Sequence, residues 1–504
     1  MAEENQPKKE EAEDTKPSPS GEASENADKT VANTAKDTAD PKEVAAMLKK
    51  LGITPDKNPG IIGKGQKDMK DYAFWKSQPV PSFDEVKEQV AKAKEGPIKE
   101  IDKDQVPKEP VPMPDDRFAW VTMDLTKENE TKEVYDLLSN HYVEDDEAMF
   151  RFNYSENFLH WALKAPGWQM EWHVGVRVKK PDGTLGSLVA FVSGIPIDLR
   201  VRGKTFRSAE VNYLCVHKKI RGKRLAPLLI KEITRRFYVT GIYQAIYTAG
   251  VVVPSPLSTC QYFHRTLDFD KLYDVGFAHL PPNVSRTRQA LRFKLPANTS
   301  TEGLRPMVAG DVNAVRTLLK RYLQRFSIAQ DFSKDDLEHW LVHSSGASSE
   351  SERVVWTYVV ETAGKITDFF SFYRLESTVI KSATPKVIKA AYLYYYATDA
   401  AFKKDDKKGE KKEDKKDEGV ALKERLNELM KDMLILAKKQ KFDVVNALTL
   451  LDNPLFLEQQ KWGPGDGKLH YYLFNYRASP IAGGLDARKQ VEHNSQGGMG
   501  MVML

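Results

Sequence analysis

This sequence predicts a mixed α/β fold made of two tandem copies of one unit, on three observations. Its 504 residues, 41% of them apolar, are enough for about two to four domains with sizeable cores. Similar patterns recur about 180 residues apart, and such self-similarity outranks any single segment in reading a fold. In both copies a strongly apolar strand leads to an amphipathic helix and then to another strand.

The first copy opens with a helical stretch around Val134 to Tyr142, followed by His160-Trp161. Polar and apolar residues alternate in WHVGVRV from Trp172, as in a half-buried strand, and a turn at Pro181-Asp182-Gly183 leads to SLVAFVSG. The apolar strand is AEVNYLCVH at 209–217, the helix 223–237, and the last strand IYQAIYTAG at 242–250. In the second copy a helix from Val312 to Phe326 precedes His339-Trp340, then WTYVVE from Trp356, a turn at Ala363-Gly364, and DFFSFY. Its apolar strand is AAYLYYYAT at 390–398, its helix about 420–438, and its last strand FDVVNALTL at 442–450.

Charge is unevenly spread. Residues 1–40 hold eleven Asp/Glu and five Lys, a sum of −6, so a net charge of +5 leaves +11 on the remainder. That head has almost no large apolar residues and is expected to be disordered. The segment 403–418 holds eight Lys and seven acids, nearly neutral overall, and reads as a solvated loop, not a nucleic-acid patch. Two cysteines, Cys215 and Cys260, make neither a disulfide framework nor a zinc site, and ten scattered histidines give no metal motif. The N-terminus lacks an apolar signal region. The uncharged stretch Phe237 to Phe263 is long enough to span a bilayer, but Gly241, Gly250, Pro254 and Pro256 break it, so a buried strand leading into a loop is expected. No membrane span and no nucleic-acid partner follow.

What comes after the apolar strand separates the copies. In the first it runs into HKKIRGKRLAPLLIKEITRRF, a basic turn with Gly222 opening a helix whose Leu225, Leu228, Leu229, Ile233 and Phe237 share one face. Backbone N–H groups at that helix start, with Arg221, Lys223 and Arg224 around them, would cradle a pyrophosphate, although such a turn is also common as a solvated helix start. The second copy has DAAFKKDDKKGE instead.

A strand, a basic glycine turn and a helix on a mixed sheet resemble the acyl-CoA site of the GNAT acyltransferase superfamily, without its second glycine. EVNYLCVHK at 210–218 and KWGPGDG at 461–467 resemble the two diagnostic stretches of the N-myristoyltransferase family, with Tyr213 and Trp462 where Phe is more usual. YAFWKSQPVP at 72–81, YVEDDEAMFRFNYS at 142–155, IYTAGVVVP at 246–254 and DFFSFYRLEST at 368–378 extend the resemblance over residues 68–504. It implies two GNAT-like halves with pseudo-twofold symmetry around a saddle-shaped sheet. Residues 68–300 would bind acyl-CoA and 301–504 would supply most of the peptide groove, after a disordered head and linker at 1–67. The implied reaction joins myristate, delivered as myristoyl-CoA, to the N-terminal glycine amine of a protein. Myristoyl-CoA is a co-substrate, and no prosthetic group is implied. A eukaryotic source follows, and the insertion suits a fungus.

Carried over residue by residue, the resemblance implies acyl-CoA contacts at Ala73, Phe74, Trp75, Tyr213, Leu214, Cys215, Val216, Arg221, Gly222, Lys223, Arg224, Leu225 and Ala226. The oxyanion donors would be the backbone N–H groups of Tyr213 and Leu214, freed where the strand bulges. The base would be the carboxylate of Leu504. Such a carboxylate ionises about four units below an α-amine, an uphill transfer of about 5 to 6 kcal/mol in water, so it must be buried; the apolar MGMVML end permits this. Asn212 and Thr248 would steer the amine. Cys215 near His217 tempts as a thiol pair, but direct attack is implied, leaving Cys215 a small buried hydrophobe and His217 structural.

For the peptide, Tyr142, Phe150, Phe152, Thr248 and Tyr262 match groove positions. Glu144, Asp145, Asp146 and Asp466 would meet a lysine downstream of the glycine, and His264 and Ser371 a serine. Glycine would be selected by steric exclusion of any Cβ. Two alternatives stay open: a GNAT-type N-acyltransferase of shorter chains, and a non-catalytic lipid- or peptide-binding module. A cytoplasmic monomer is expected. Association with ribosomes follows only from the need to expose the glycine by removing Met, and the acidic head does not favour docking through it.

Overall fold

The computed structural model describes residues 72–81, 95–144, 149–342, 352–380, 386–402, 415–486, 491–492 and 498–504. The acidic head, residues 403–414 of the insertion, Asp145 and Asp146 lie outside them.

The first half runs β1 (Phe118–Thr122), α1 (Glu128–His141), β2 (Phe150–Asn153), α2 (Glu156–Leu163), β3 (His173–Lys179), β4 (Leu185–Val201), β5 (Lys204–Val216), α3 (Leu225–Val239), β6 (Ala245–Ala249) and β7 (Ser258–Thr266). The second repeats the order with β8 (Leu304–Pro306), α4 (Val312–Leu323), α5 (Lys334–Leu341), β9 (Val355–Thr362), β10 (Lys365–Arg374), β11 (Glu376–Val379), β12 (Ala390–Thr398), α6 (Lys415–Lys439), β13 (Val444–Leu448) and β14 (Gly463–Phe474). The matching helices α2 and α5 both start on a serine whose hydroxyl accepts a backbone N–H, Ser155 from Phe158 and Ser333 from Asp336.

Among the described residues one large sheet runs β1-β3-β4-β5-β6-β14-β7-β13-β12-β10-β9-β8. The two-copy reading is matched, including the parallel pairs β5·β6 and β12·β13 that each helix crossover creates. One feature was not foreseen. The last strand of each half crosses into the other: β14 lies against β6, and β7 lies against β13, with β14 and β7 antiparallel at the centre. No tight turn marks the exchange in the sequence, and the 237–263 stretch hid the start of β7.

The larger core gathers α1, α2 and α4 to α6 against the sheet, and Tyr213 and Cys215 face it. A smaller core lies beneath α3, where Leu225, Leu229, Ile233 and Phe237 cover the other face of β3 to β5, with Leu214 and Val216 packed at its edge.

Candidate functional site

The site is built on a place where the sheet comes apart. β5 and β6 pair in parallel for only three residues, Ala209 to Val211 against Ala245 to Tyr247. Beyond that the strands diverge, with Asn212 and Thr248 the next residues at the mouth. The β4·β5 register breaks at the same level. Ser193 faces Asn212 and Phe191 faces Cys215, so Tyr213 and Leu214 together oppose Val192. Tyr213 takes φ 60°, left-handed backbone that costs a bulky residue on the order of 1–3 kcal/mol. Packing holds it there: its ring lies 5.3 Å from that of Tyr154 and 6.0 Å from that of Tyr142. Burial raises the pKa of the Tyr142 hydroxyl, and the Tyr213 N–H works against that rise.

The second half repeats the bulge and closes it. Phe370 faces Tyr396 and Phe372 faces Leu393, which leaves Tyr394 and Tyr395 opposite Ser371. The Ser371 hydroxyl donates to the Tyr395 carbonyl at 2.7 Å and accepts the Tyr395 N–H at 3.2 Å. Ser371 is fully buried, so the expectation that it meets a substrate serine is corrected: its hydroxyl is taken up by this bulge. Val192, at the equivalent place in the first half, has no hydroxyl to do the same.

The chain end is woven into this region. The Ser327 N–H donates to the Gly498 carbonyl, the Gly500 N–H to that of Ile328, and the Leu451 N–H to that of Met499. Tyr471, paired with Thr248 across β14·β6, donates its hydroxyl to the Met501 carbonyl at 3.2 Å. The Val502 N–H donates to the Tyr395 hydroxyl at 3.0 Å. Met499, Met501, Val502 and Met503 are buried and Leu504 is half-buried. The Leu504 N–H acts on the carboxylate of Glu210, two residues along β5 from Asn212, and favours its charged form. The last residue therefore lies beside the bulged strand.

On the other side of β5 the basic turn follows. Gly222 has φ 93° and Arg224, φ 59°, caps α3 without a side-chain bond to its first N–H groups. Arg221, Gly222, Lys223 and Arg224 are exposed, while Leu225 is buried and Ala226 half-buried. Arg221 departs from the expected cradle. Its guanidinium donates to the carbonyls of Val216 and His141, and so ties the turn to the end of α1. Residues 72–81 strap across β6 and β14. Tyr72 donates to the Val252 carbonyl at 3.0 Å, and Trp75 stacks on Tyr247 at 5.7 Å, the last residue of β6 that pairs with β5. Ala73 and Phe74 form the turn before Trp75.

The expected groove residues come together from both halves. β2 pairs with β11, placing Phe150 against Phe277 at 5.6 Å and Phe152 near Tyr392 at 6.3 Å. Tyr262 and His264 precede the nominal border at 300, but they sit on β7, inside the second half's sheet. His264 shares a hydrogen bond of 2.7 Å with Asn446, and burial lowers its pKa, which keeps the ring neutral near pH 7. The β14·β7 register shifts between Pro464 and Lys468, so the GPGDG turn loops over this ring. A Cβ on Gly465 would stand 2.2 Å from the His264 Nε2, which is why glycine is needed there. Asp466 is exposed at the rim. Glu144 is not the open acid that was expected, because both Arg151 and Lys218 pair with its carboxylate.

Cys215 is buried and its thiol is pushed up to about 12 by that burial, so it is not a nucleophile. His217 caps the turn that follows β5, its Nδ1 accepting the Lys219 N–H at 3.2 Å. Glu210, Tyr395 and Tyr471 escaped the sequence reading. Glu210 had a signal, being the lone acid in an apolar strand. The two tyrosines had none, since they sit in runs of aromatic core residues.

Residues 97–260 match the N-terminal domain of myristoyl-CoA:protein N-myristoyltransferase, and residues 274–502 match its C-terminal domain. The chain is similar to glycylpeptide N-tetradecanoyltransferase of Emericella nidulans, 55% identical over 446 residues, 88% of this chain and 86% of that one. The same enzyme of Ajellomyces capsulatus is 53% identical over 463 residues, 92% of this chain and 82% of that one. A crystal structure of Saccharomyces cerevisiae N-myristoyltransferase with bound myristoyl-CoA is similar in fold, with a TM-score of 0.80 at 46% identity; it covers 86% of this chain and 100% of that one. Among the described residues no helix is long and apolar enough to cross a membrane.

Proposed function

This chain belongs to the myristoyl-CoA:protein N-myristoyltransferase family, and on that premise we propose how its residues carry out the transfer. It is an acyltransferase that joins myristate, delivered as myristoyl-CoA, to the N-terminal glycine amine of a protein. The observation that carries the residue-level reading is the meeting of a buried chain end with the bulge of β5 at the split of the sheet.

The thioester enters the split between β5 and β6, with the CoA phosphates toward the exposed turn 221–226 and Trp75 closing the mouth. Its carbonyl oxygen faces the N–H groups of Tyr213 and Leu214. The glycine amine, steered by Asn212 and Thr248, loses its proton to the Leu504 carboxylate and attacks the carbonyl carbon. Collapse of the tetrahedral intermediate breaks the C–S bond and expels CoA, whose sulfur takes the second proton that the nitrogen sheds in becoming an amide. Burial of residues 499–503 supports this role for the terminus, because desolvation brings the two pKa values together.

The peptide lies over β2, β7 and β14, between Tyr142, Phe150, Phe152, Tyr262 and His264, and Asp466 receives a downstream lysine. The enzyme works as a cytoplasmic monomer on chains whose glycine has been exposed, and meets nascent ones near the ribosome. Residues 68–300 hold the acyl-CoA, and residues 301–504 with β7 hold the peptide.

A series of acyl-CoA lengths offered with a Gly-starting peptide and its Ala-starting counterpart tests the activity; selective transfer of the fourteen-carbon chain to glycine is expected. Deleting Leu504 tests the base. Turnover should fall steeply with little loss of myristoyl-CoA affinity, and unchanged turnover would remove the terminus from the mechanism.

A further inference from the structure

Glu210 lies on β5 three residues before the bulge, with 4% of its surface exposed. The groups that feel its charge are the phenols of Tyr213 on its own strand, Tyr373 on β10, and Tyr394 and Tyr395 on β12, together with Asn212 and the terminal residue. None of these carries positive charge, and a carboxylate in such surroundings is costly to keep. Asn212 gives its Nδ2–H to Oε1 at 2.8 Å, and the backbone N–H of Leu504 also favours the charged form. A carboxylate suits both, whereas an amide would turn donors toward one of them.

These interactions have consequences at the split. Asn212 is held at both ends of its residue: its amide by Glu210, and its backbone carbonyl by the Ser193 hydroxyl at 3.1 Å. With Nδ2 tied to Glu210, Oδ1 is the end left to accept from an incoming amine. The bonds of Val502 to the Tyr395 hydroxyl and of Met501 to the Tyr471 hydroxyl bring the end of the chain to this region, where the Leu504 N–H acts on the same carboxylate.

We propose that Glu210 is a positioning residue for acyl transfer, its carboxylate fixing both the orientation of the Asn212 amide and the seat of Leu504 without touching the reacting atoms. The proposal rests on the reading of the Leu504 carboxylate as base.

Four forms of the full chain test it: wild type, Glu210→Gln, the Leu504 deletion, and the two combined. With a glycyl peptide and myristoyl-CoA, Glu210→Gln should lower kcat about 10- to 100-fold, the loss that a small misplacement of reacting groups brings. Myristoyl-CoA affinity, read by calorimetry, should stay within about twofold, and the combined form should lose no more than about twofold beyond the deletion alone, since the two changes act through one arrangement. Wild-type kcat in Glu210→Gln, or fully multiplicative losses in the combined form, overturns the proposal. A deletion that keeps full turnover instead overturns the base assignment, and with it the part of the proposal that runs through Leu504. Should Glu210→Gln not fold, Glu210→Asp keeps the charge but shortens its reach by one methylene; a fall in kcat with acyl-CoA binding intact is expected, and wild-type kcat there also overturns it.

Discussion

Trp161 and Trp340, the same residue of the two copies, meet edge to face with ring centroids 4.9 Å apart. His339, beside Trp340, bonds the Trp161 carbonyl at 2.7 Å, so the repeated His-Trp pairs of α2 and α5 form a joint between the halves. Aromatic pairs of this geometry add to the large area each ring buries. Trp340→Ala is expected to cost about 3–5 kcal/mol in urea unfolding. Combined with Trp161→Ala the loss should be less than the sum, because one contact is removed twice.

Tyr213 carries a hydroxyl that is buried and finds no hydrogen-bond partner among the described residues. An unsatisfied buried hydroxyl costs about 1–3 kcal/mol, and Tyr213→Phe removes it while keeping the ring that holds the bulge. The variant should unfold at a higher temperature in calorimetry and keep its turnover, because the donor that matters is the backbone N–H. A loss of turnover of about tenfold or more would instead put the side chain into the chemistry.

Much of this was legible beforehand. The apolar strands, the helices after them and the basic turn announce themselves through periodicity, and AAYLYYYAT occupies β12 from end to end. The bulge was expected from the resemblance, since a run such as NYLCV has nothing in it to break a strand. Two things were hidden. The exchange of β7 and β14 depends on which edge each strand meets, and apolar pattern does not encode that. Ser371 resembled a groove residue because its neighbours do, yet its fate is decided by two backbone groups of Tyr395.

Glu210 should leave a mark on the pH dependence of stability. Burial first of all raises its pKa from 4.5 to about 7, while the Asn212 bond and the Leu504 N–H work against that rise. The folded state thus holds the proton more tightly than the unfolded one, so this group's stabilising contribution is full below pH 4.5 and is lost as pH rises through 7. The difference is on the order of 3 kcal/mol. Unfolding free energies of Glu210→Gln and wild type, measured from pH 4 to 8, should diverge across that window in favour of the variant. Parallel curves would refute the titration.

Gly465 supports the His264 ring at a distance no side chain tolerates. Gly465→Ala must push the ring or the turn aside, an overpacking of about 1–3 kcal/mol. Because the turn bears Asp466, the expected signature is a raised KM for a lysine-containing peptide with unchanged affinity for myristoyl-CoA.

The crossing of β7 and β14 also says what kind of object the molecule is. A chain severed in the connection between Thr266 and Leu304 would yield two fragments, each carrying the central strand that its partner's sheet is missing. Neither has a complete sheet to fold on, so the pair behaves as an obligate heterodimer and activity returns only when both are present. The two repeats are thus interlocked, each completed by the other's last strand.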